Sequence, residues 1–344
     1  MITLTAANAV LTKSRCMYGK MLGSEDYNAL MSCHSVSEVA FYLKNHTHYA
    51  DALAELNEST IHRRQLEELL QMKEFDEFAA LCRYEFAKDD GFSQYIIMTG
   101  DIRQMLHFLR LLSVGRPQEY LFSLPGFFVS HSTVDLHALS QARSFADFIK
   151  VVQKSQYAKA LAPFASKDHF DFTAIEHALY RYMYAHLMEI ISRRAGQSQK
   201  DELQSIFGSF LEMENFLHIY RLKKFYHAEA DVIRTLLFNY PYKLKHDTLE
   251  AMITADSADE VLEIMKKQPY YGKYFQKSEG SLESVYARLK FSIAKKYVHY
   301  SVNPSVVMLS YIILSQIELD NIINIIESVR YGLTAEEMMG MITV

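Results

Sequence analysis

Acidic pairs and one histidine pair are the places in this chain where chemistry could gather. Asp89-Asp90 could open a metal-binding aspartate motif of the kind all-α prenyl-chain enzymes use, but Gly91-Phe92-Ser93 follows and no third acid arrives at the needed turn. His46 and His48 flank Thr47 near a helix end. Alternate residues share a metal only on extended backbone, and no third ligand is evident. Glu67-Glu68 and the two acids Glu212 and Glu214 fall in helical stretches. Neighbours one or two positions apart do not face one another there, so neither set makes a general acid/base pair. Gly19-Lys20 and Gly272-Lys273 lack the preceding glycine and the hydroxyl residue of a phosphate loop. There is no dinucleotide-binding glycine cluster, no His-Glu-x-x-His and no Gly-x-Ser-x-Gly. Cys16, Cys33 and Cys82 are odd in number and irregular in spacing, which suits neither a disulfide framework nor a zinc site and reads as buried thiols in a reducing compartment. The reading is therefore no catalytic residue, no cofactor and no metal.

What remains is the scaffold. Gly (12) and Pro (6) make up about 5% of the 344 residues, against an average of about 12%. Sheets need many tight turns, and turns use these two residues, so the shortage points to long helices. A 49% hydrophobic, 22% charged composition is that of a globular chain. The net charge of -5 gives no general affinity for nucleic acid. Basic pairs such as Arg63-Arg64 and Lys295-Lys296 are scattered and read as solvated helix faces. The N-terminal stretch lacks the basic start and apolar run of a secretory leader. The most apolar run, Val306 to Ile317, is far short of the roughly 20 residues of a membrane span, so no direct membrane-spanning segment is expected.

A repeat organises the helices. Residues 27–53, 136–161 and 246–275 each read as a short apolar helix, a cap, a second helix and a tyrosine. The expected caps are Ser35, Ser144 and Asp256, each with a carboxylate three residues on: Glu38, Asp147 and Asp259. A cap oxygen accepts from a free N–H of the first turn, and the acid favours the positive helix end. Each second helix ends near an aromatic: Tyr49, Tyr157 and Tyr270-Tyr271. A second landmark is the apolar ridge at Leu106, Leu217 and Ile323. The caps are 109 and 112 residues apart and the ridges 111 and 106, so two independent landmarks give one period. Acid-Asn pairs, Glu214-Asn215 and Asp320-Asn321, accompany the second and third ridges, while the first copy has Arg103-Gln104 instead.

Between the landmarks, 61–86, 172–195 and 281–299 carry apolar residues at helical spacing, and Asn303-Pro304 is a start signal for a last long helix. Pro125-Gly126 and Asn239-Tyr240-Pro241 suggest the boundaries. The expected architecture is all-α, with helical repeats over 1–126, 127–239 and 240–344.

These same residues resemble the C subunit (also called d) of the V/A-type rotary ATPases. The stretch Tyr18-Gly-Lys-Met-Leu-Gly-Ser-Glu-Asp-Tyr27, with Leu30, Ser35-Val-Ser-Glu38, Tyr49 and Leu53, is similar to that family's opening. Glu318-Leu-Asp-Asn321, the run to Glu327 and Tyr331-Gly-Leu-Thr-Ala-Glu336 resemble its close, and Glu214-Asn215 looks like the same feature in the second copy. The resemblance implies three tandem helical repeats arranged as a pseudo-three-fold funnel. It implies a non-catalytic member of the central stalk on the cytoplasmic face of the membrane, whose partners are the central shaft subunits and the membrane rotor ring of a proton or sodium pump. Two other readings compete. An unrelated helical scaffold of solenoid type would have a period of about 33 to 47 residues, less than half of that found. An all-α enzyme would need carboxylates clustered on facing helices, and the sequence displays none.

Overall fold

The computed structural model describes residues 2–57, 61–82, 93–165, 170–194, 196–275 and 281–344. Asp89-Asp90, the metal candidate of the sequence, lies outside them. Every regular element among the described residues is helical. In chain order the α-helices are α1 (Ile2–Tyr18), α2 (Ser24–Met31), α3 (Val36–His46), α4 (Arg63–Cys82), α5 (Ser93–Ser113) and α6 (Gly126–Val129). There follow α7 (Leu136–Gln141), α8 (Phe145–Val152), α9 (Ala158–Leu161), α10 (Phe172–Arg194), α11 (Gln197–Arg221) and α12 (Ala230–Thr235). The last are α13 (His246–Thr254), α14 (Ala258–Lys266), α15 (Leu282–Tyr300), α16 (Pro304–Tyr331) and α17 (Ala335–Met339). The chain forms two compact units: one from Met1–Tyr84 with Gly196–Val344, the other from Glu85–Ala195.

The short hairpin helices start where side chains satisfy the free amides of their first turn. Ser35 Oγ accepts from Glu38 N at 3.2 Å, while Glu38 reaches back to His34 N at 2.8 Å. Ser144 Oγ accepts from Asp147 N at 3.2 Å. In the third hairpin the cap is Ser257, not Asp256: its Oγ accepts from Glu260 N at 3.2 Å, and Glu260 takes the Asp256 N–H at 2.9 Å. The longer Glu260 side chain reaches back past the cap, as Glu38 does at α3, and this moves the box one residue along.

In the unit Glu85–Ala195, α5 packs against α10, and Phe108 of α5 stacks on Phe148 of α8 at 5.9 Å between centroids. In the other unit α16 packs against α1, α4 and α15. One core there joins both ends of the chain: Leu30, Val39, Leu43 and Leu53 of the first hairpin region share a cluster with Leu319, Ile322, Ile325 and Ile326 of α16. Fully burying each such side chain contributes about 1.5–3 kcal/mol. Of the expected ridge, Leu106 and Leu217 are buried, while Ile323 is only partly so and Ile322 takes the fully buried place. Helix α16 is packed on several sides, so its apolar surface is broader than one ridge. That helix also exceeds the run expected from Val306 to Ile317. At 28 residues it is long and apolar enough to cross a membrane, yet 78% of its most apolar window is buried inside the protein. The apolar length is that of a core helix.

Candidate functional site

Three buried acids stand at one period along the long helices: Asp101 on α5, Glu212 on α11 and Glu318 on α16. They are 111 and 106 residues apart, the ridge spacing. Each receives a tyrosine hydroxyl from a helical hairpin, together with donors from a loop.

Asp101 accepts from the hydroxyls of Ser132 at 2.6 Å, Thr133 at 2.5 Å and Tyr157 at 3.1 Å, and from Thr133 N at 3.3 Å. Burial still raises its carboxyl above the ordinary aspartate value, against these hydrogen bonds. Glu212 accepts from three successive backbone amides, Tyr242 at 2.7 Å, Lys243 at 2.8 Å and Leu244 at 2.8 Å, and from Tyr271 Oη. Glu318 accepts from Leu22 N at 2.6 Å and Tyr49 Oη at 3.0 Å, with His48 Nε2 at 2.8 Å. Behind His48 stand Lys73, 2.9 Å from Nδ1, and Glu77, which binds Lys73 and accepts from Tyr311 Oη at 2.5 Å. Burial first, then the neighbouring acid, pushes the phenols of Tyr49, Tyr157 and Tyr271 above the usual tyrosine value. All three therefore remain donors at physiological pH.

Three residues after each acid, on the same helix face, stands an amide side chain. Gln104 Oε1 accepts from Tyr120 Oη at 3.1 Å. Asn215 bonds both backbone groups of Phe238 at 2.8 Å, and Asn321 bonds Thr343 O at 2.7 Å and Thr343 N at 2.8 Å. Each amide thus ties its helix to a segment further down the chain.

The acid-Asn pairs expected from sequence, Glu214-Asn215 and Asp320-Asn321, divide between helix faces: Asn215 and Asn321 are buried, and the buried acids of their helices are Glu212 and Glu318. Residues three apart share a helix face and adjacent residues do not. Glu214 is half-buried and Asp320 exposed; both act on Lys290 of α15, where burial lowers the ammonium below its ordinary value and the two carboxylates oppose that shift. The first copy no longer departs from the pattern, since Asp101 and Gln104 keep the same spacing. Sequence reading missed Asp101, Glu212 and Glu318 in this role. Their signal was an acid three residues before each amide, paired with the recurring hairpin tyrosine.

The other candidates resolve simply. Among the described residues no group of three His, Cys, Asp or Glu could hold a metal ion. His48 lies on Glu318, while His46 lies against the Tyr42 ring at 5.0 Å. Cys16 is exposed and Cys33 and Cys82 are intermediate, so none of the three is the deeply buried thiol that was expected. A cavity of about 420 Å³ between α1, α15 and α16 is lined in part by Tyr27, Phe291, Lys295, Glu318 and Asn321. Both oxygens of Glu318 there are already committed to Leu22, His48 and Tyr49.

Buried acids locked by tyrosines on the seams between helices define an all-α protein whose polar core groups hold the fold together. Within that class the chain belongs to the ATP synthase (C/AC39) subunit family, that of the C or d subunit of the V/A-type rotary ATPases; the family's model matches residues 10–341. The protein is accordingly of a family that works within a membrane-associated rotary ATPase complex. No curated protein is a detectable match to the chain.

Proposed function

We propose that this protein is the non-catalytic socket of the central stalk, seated on the cytoplasmic face of the membrane. It receives the shaft subunits and passes their torque to the rotor ring, which moves protons or sodium ions. Its three tandem copies, 1–126, 127–239 and 240–344, form a three-lobed funnel. The observation that carries this reading is the acid–tyrosine seam, which recurs at the repeat spacing. Asp101 binds the hairpin that follows it in the chain, through Tyr157, and Glu212 does the same through Tyr271. Glu318 binds the first hairpin, through Tyr49. The third long helix is thereby joined to the first hairpin, as a closed set of three lobes would require.

A torque coupler has to stay stiff under load. Close-packed helices have low compressibility. Charge-assisted hydrogen bonds across each seam contribute roughly 1.5–3 kcal/mol apiece and resist shear in a way that apolar contacts do not. The test is native extraction of the complex. The chain is expected to come down with the shaft and the ring and, when isolated, to hydrolyse no ATP. Capture of neither partner, or hydrolysis by the isolated chain, would overturn the socket reading.

A further inference from the structure

The seam between Tyr49 and Glu318 differs from the other two in one chemical respect: a histidine stands in it. The residue before each seam tyrosine is His48 in the first hairpin, Gln156 in the second and Tyr270 in the third. Gln156 Nε2 donates to Thr133 Oγ1 at 2.9 Å, and Tyr270 Oη lies 3.2 Å from Ser209 Oγ. Neither an amide nor a phenol changes charge near neutral pH, whereas an imidazole does.

The surroundings of His48 fix where its ring keeps a proton. Nε2 is 2.8 Å from Glu318 Oε1, and Nδ1 is 2.9 Å from Lys73 Nζ. An ammonium has three donors and no acceptor, so Nδ1 has to accept from it and carries no hydrogen. The single ring proton is therefore on Nε2, donated to Glu318, and the imidazole is neutral. Lys73 is held in place by the Glu77 carboxylate one turn on along α4, and by the Tyr49 ring, whose centre is 4.7 Å from Nζ. The remaining titratable groups about the seam are Glu74 of α4 and Tyr27 of α2, which both act on Tyr49, and Tyr311 of α16, which donates to Glu77.

A second proton on the ring can go only to Nδ1. There it would point at the Lys73 ammonium, donor against donor and charge against charge, across 2.9 Å. The imidazolium and Lys73 cannot share that place. Glu77 Oε1 meanwhile stands 4.0 Å from Nδ1, about 1 Å beyond a hydrogen bond. Once Lys73 withdraws, the protonated ring can lie between two carboxylates, Glu318 and Glu77, with a charge-assisted bond to each. The cluster reaches water at Glu77, whose side chain is 23% exposed, and the flexible four-carbon stem of Lys73 gives its ammonium a way out there.

We propose that His48 and Lys73 form a proton-operated exchange at the contact between the first hairpin and α16: a proton taken up at His48 Nδ1 releases Lys73 to solvent and passes its place at the ring to Glu77. One proton enters from water, one ammonium moves out, and no covalent bond other than the new N–H changes. The hold of α4 on the first hairpin thereby shifts by one helical turn, from residue 73 to residue 77, and the Tyr49 ring loses the cation that covers it. The seams of Asp101 and Glu212, with Gln156 and Tyr270 in the equivalent place, stay as they are. The exchange follows from these distances and does not rest on the socket reading.

The test follows the ring itself. Long-range proton–nitrogen NMR spectra of the full chain, labelled in histidine, are recorded from about pH 8 to about pH 5, with His48→Gln locating the His48 signals. At the alkaline end the proton is expected on Nε2 alone, and acidification should add one on Nδ1. Lys73→Met keeps the stem and removes the charge, so it should raise the His48 midpoint by about one pH unit, roughly a tenfold easier protonation. Crystal structures of wild type on either side of the midpoint should show Lys73 Nζ beside Nδ1 in the first and turned to solvent in the second. A proton resting on Nδ1 at the alkaline end overturns the proposal. So does an unmoved midpoint in a folded Lys73→Met, a protonated ring with Nζ still beside it, or a ring that stays neutral until acid unfolds the protein. The wild-type spectra and structures decide the matter even where a variant does not fold.

Discussion

Tyr49 and Glu318 are 269 residues apart in the chain and share a buried hydrogen bond of 3.0 Å. That contact joins the first hairpin to the last long helix, beside His48 and the Leu22 amide, which bind the same carboxylate. Tyr49→Phe should cost about 1–3 kcal/mol, since one donor to a buried charge is lost. Glu318→Ala should cost about 3–5 kcal/mol, because it leaves three donors facing an empty place. Denaturant unfolding of the two single variants and the double variant measures their coupling. Strictly additive effects would show that the two groups do not support one another.

The three seam tyrosines make alkaline stability a direct readout. Their folded pKa values lie above the ordinary 10. A raised phenol binds its proton more tightly in the folded state than in the unfolded one. Its contribution is complete below pH 10, the unfolded value, and is lost as pH rises from there through the folded pKa. Wild type should therefore lose stability above about pH 10 more steeply than a variant carrying Tyr49→Phe, Tyr157→Phe and Tyr271→Phe. Phenolate absorbance from these residues should appear together with unfolding. Free titration of all the tyrosines in a still-folded protein would contradict their burial.

The placement of the caps separates two neighbouring residues. Ser257→Ala should cost about 1 kcal/mol, and Ser144→Ala about the same, through loss of the bond to the first-turn amide. Asp256→Ala should cost much less, because its part in the box is its backbone N–H, which alanine keeps. Melting temperatures of the three variants decide this. Equal losses at 256 and 257 would return the cap to Asp256.

The acids beside the asparagines separate in the same way. Asn215→Ala removes both bonds to the Phe238 backbone and strands a buried donor and a buried acceptor, at a cost of about 2–4 kcal/mol. Glu212→Gln should destabilise clearly, as an amide cannot accept from all of Tyr242, Lys243, Leu244 and Tyr271. Glu214→Gln and Asp320→Asn should cost less, since those groups act on Lys290 from less buried positions. Chemical denaturation of the set tests this ranking; Glu214→Gln matching Glu212→Gln would refute it.

Gly272 follows Tyr271 at the hairpin end, where an added Cβ would come within 2.2 Å of the Lys266 carbonyl oxygen. That oxygen belongs to the backbone and cannot swing aside. Gly272→Ala should therefore displace Tyr271 from Glu212 and destabilise by about 1–3 kcal/mol. The equivalent positions after Tyr49 and Tyr157 are already Ala50 and Ala158, so a glycine there should change little by comparison. Unchanged stability in Gly272→Ala would mean that this turn relaxes freely.

The local sequence was enough for everything that depends on neighbours in the chain. Helical spacing, the shortage of Gly and Pro and the Ser35 and Ser144 caps all express contacts within a few turns, and these are written in adjacent residues. Tertiary structure decided which polar groups meet. From sequence, Glu214-Asn215 and Asp320-Asn321 were the conspicuous pairs, because adjacency in the chain is easily seen. Burial selected Glu212 and Glu318 instead, because a helix turns 3.6 residues per revolution and places i and i+3 on one face. That Tyr49 should complete the seam of Glu318 could not be read from any window of sequence. No local pattern records which hairpin closes on the last helix, and only the folding of both chain ends into one core brings the two together.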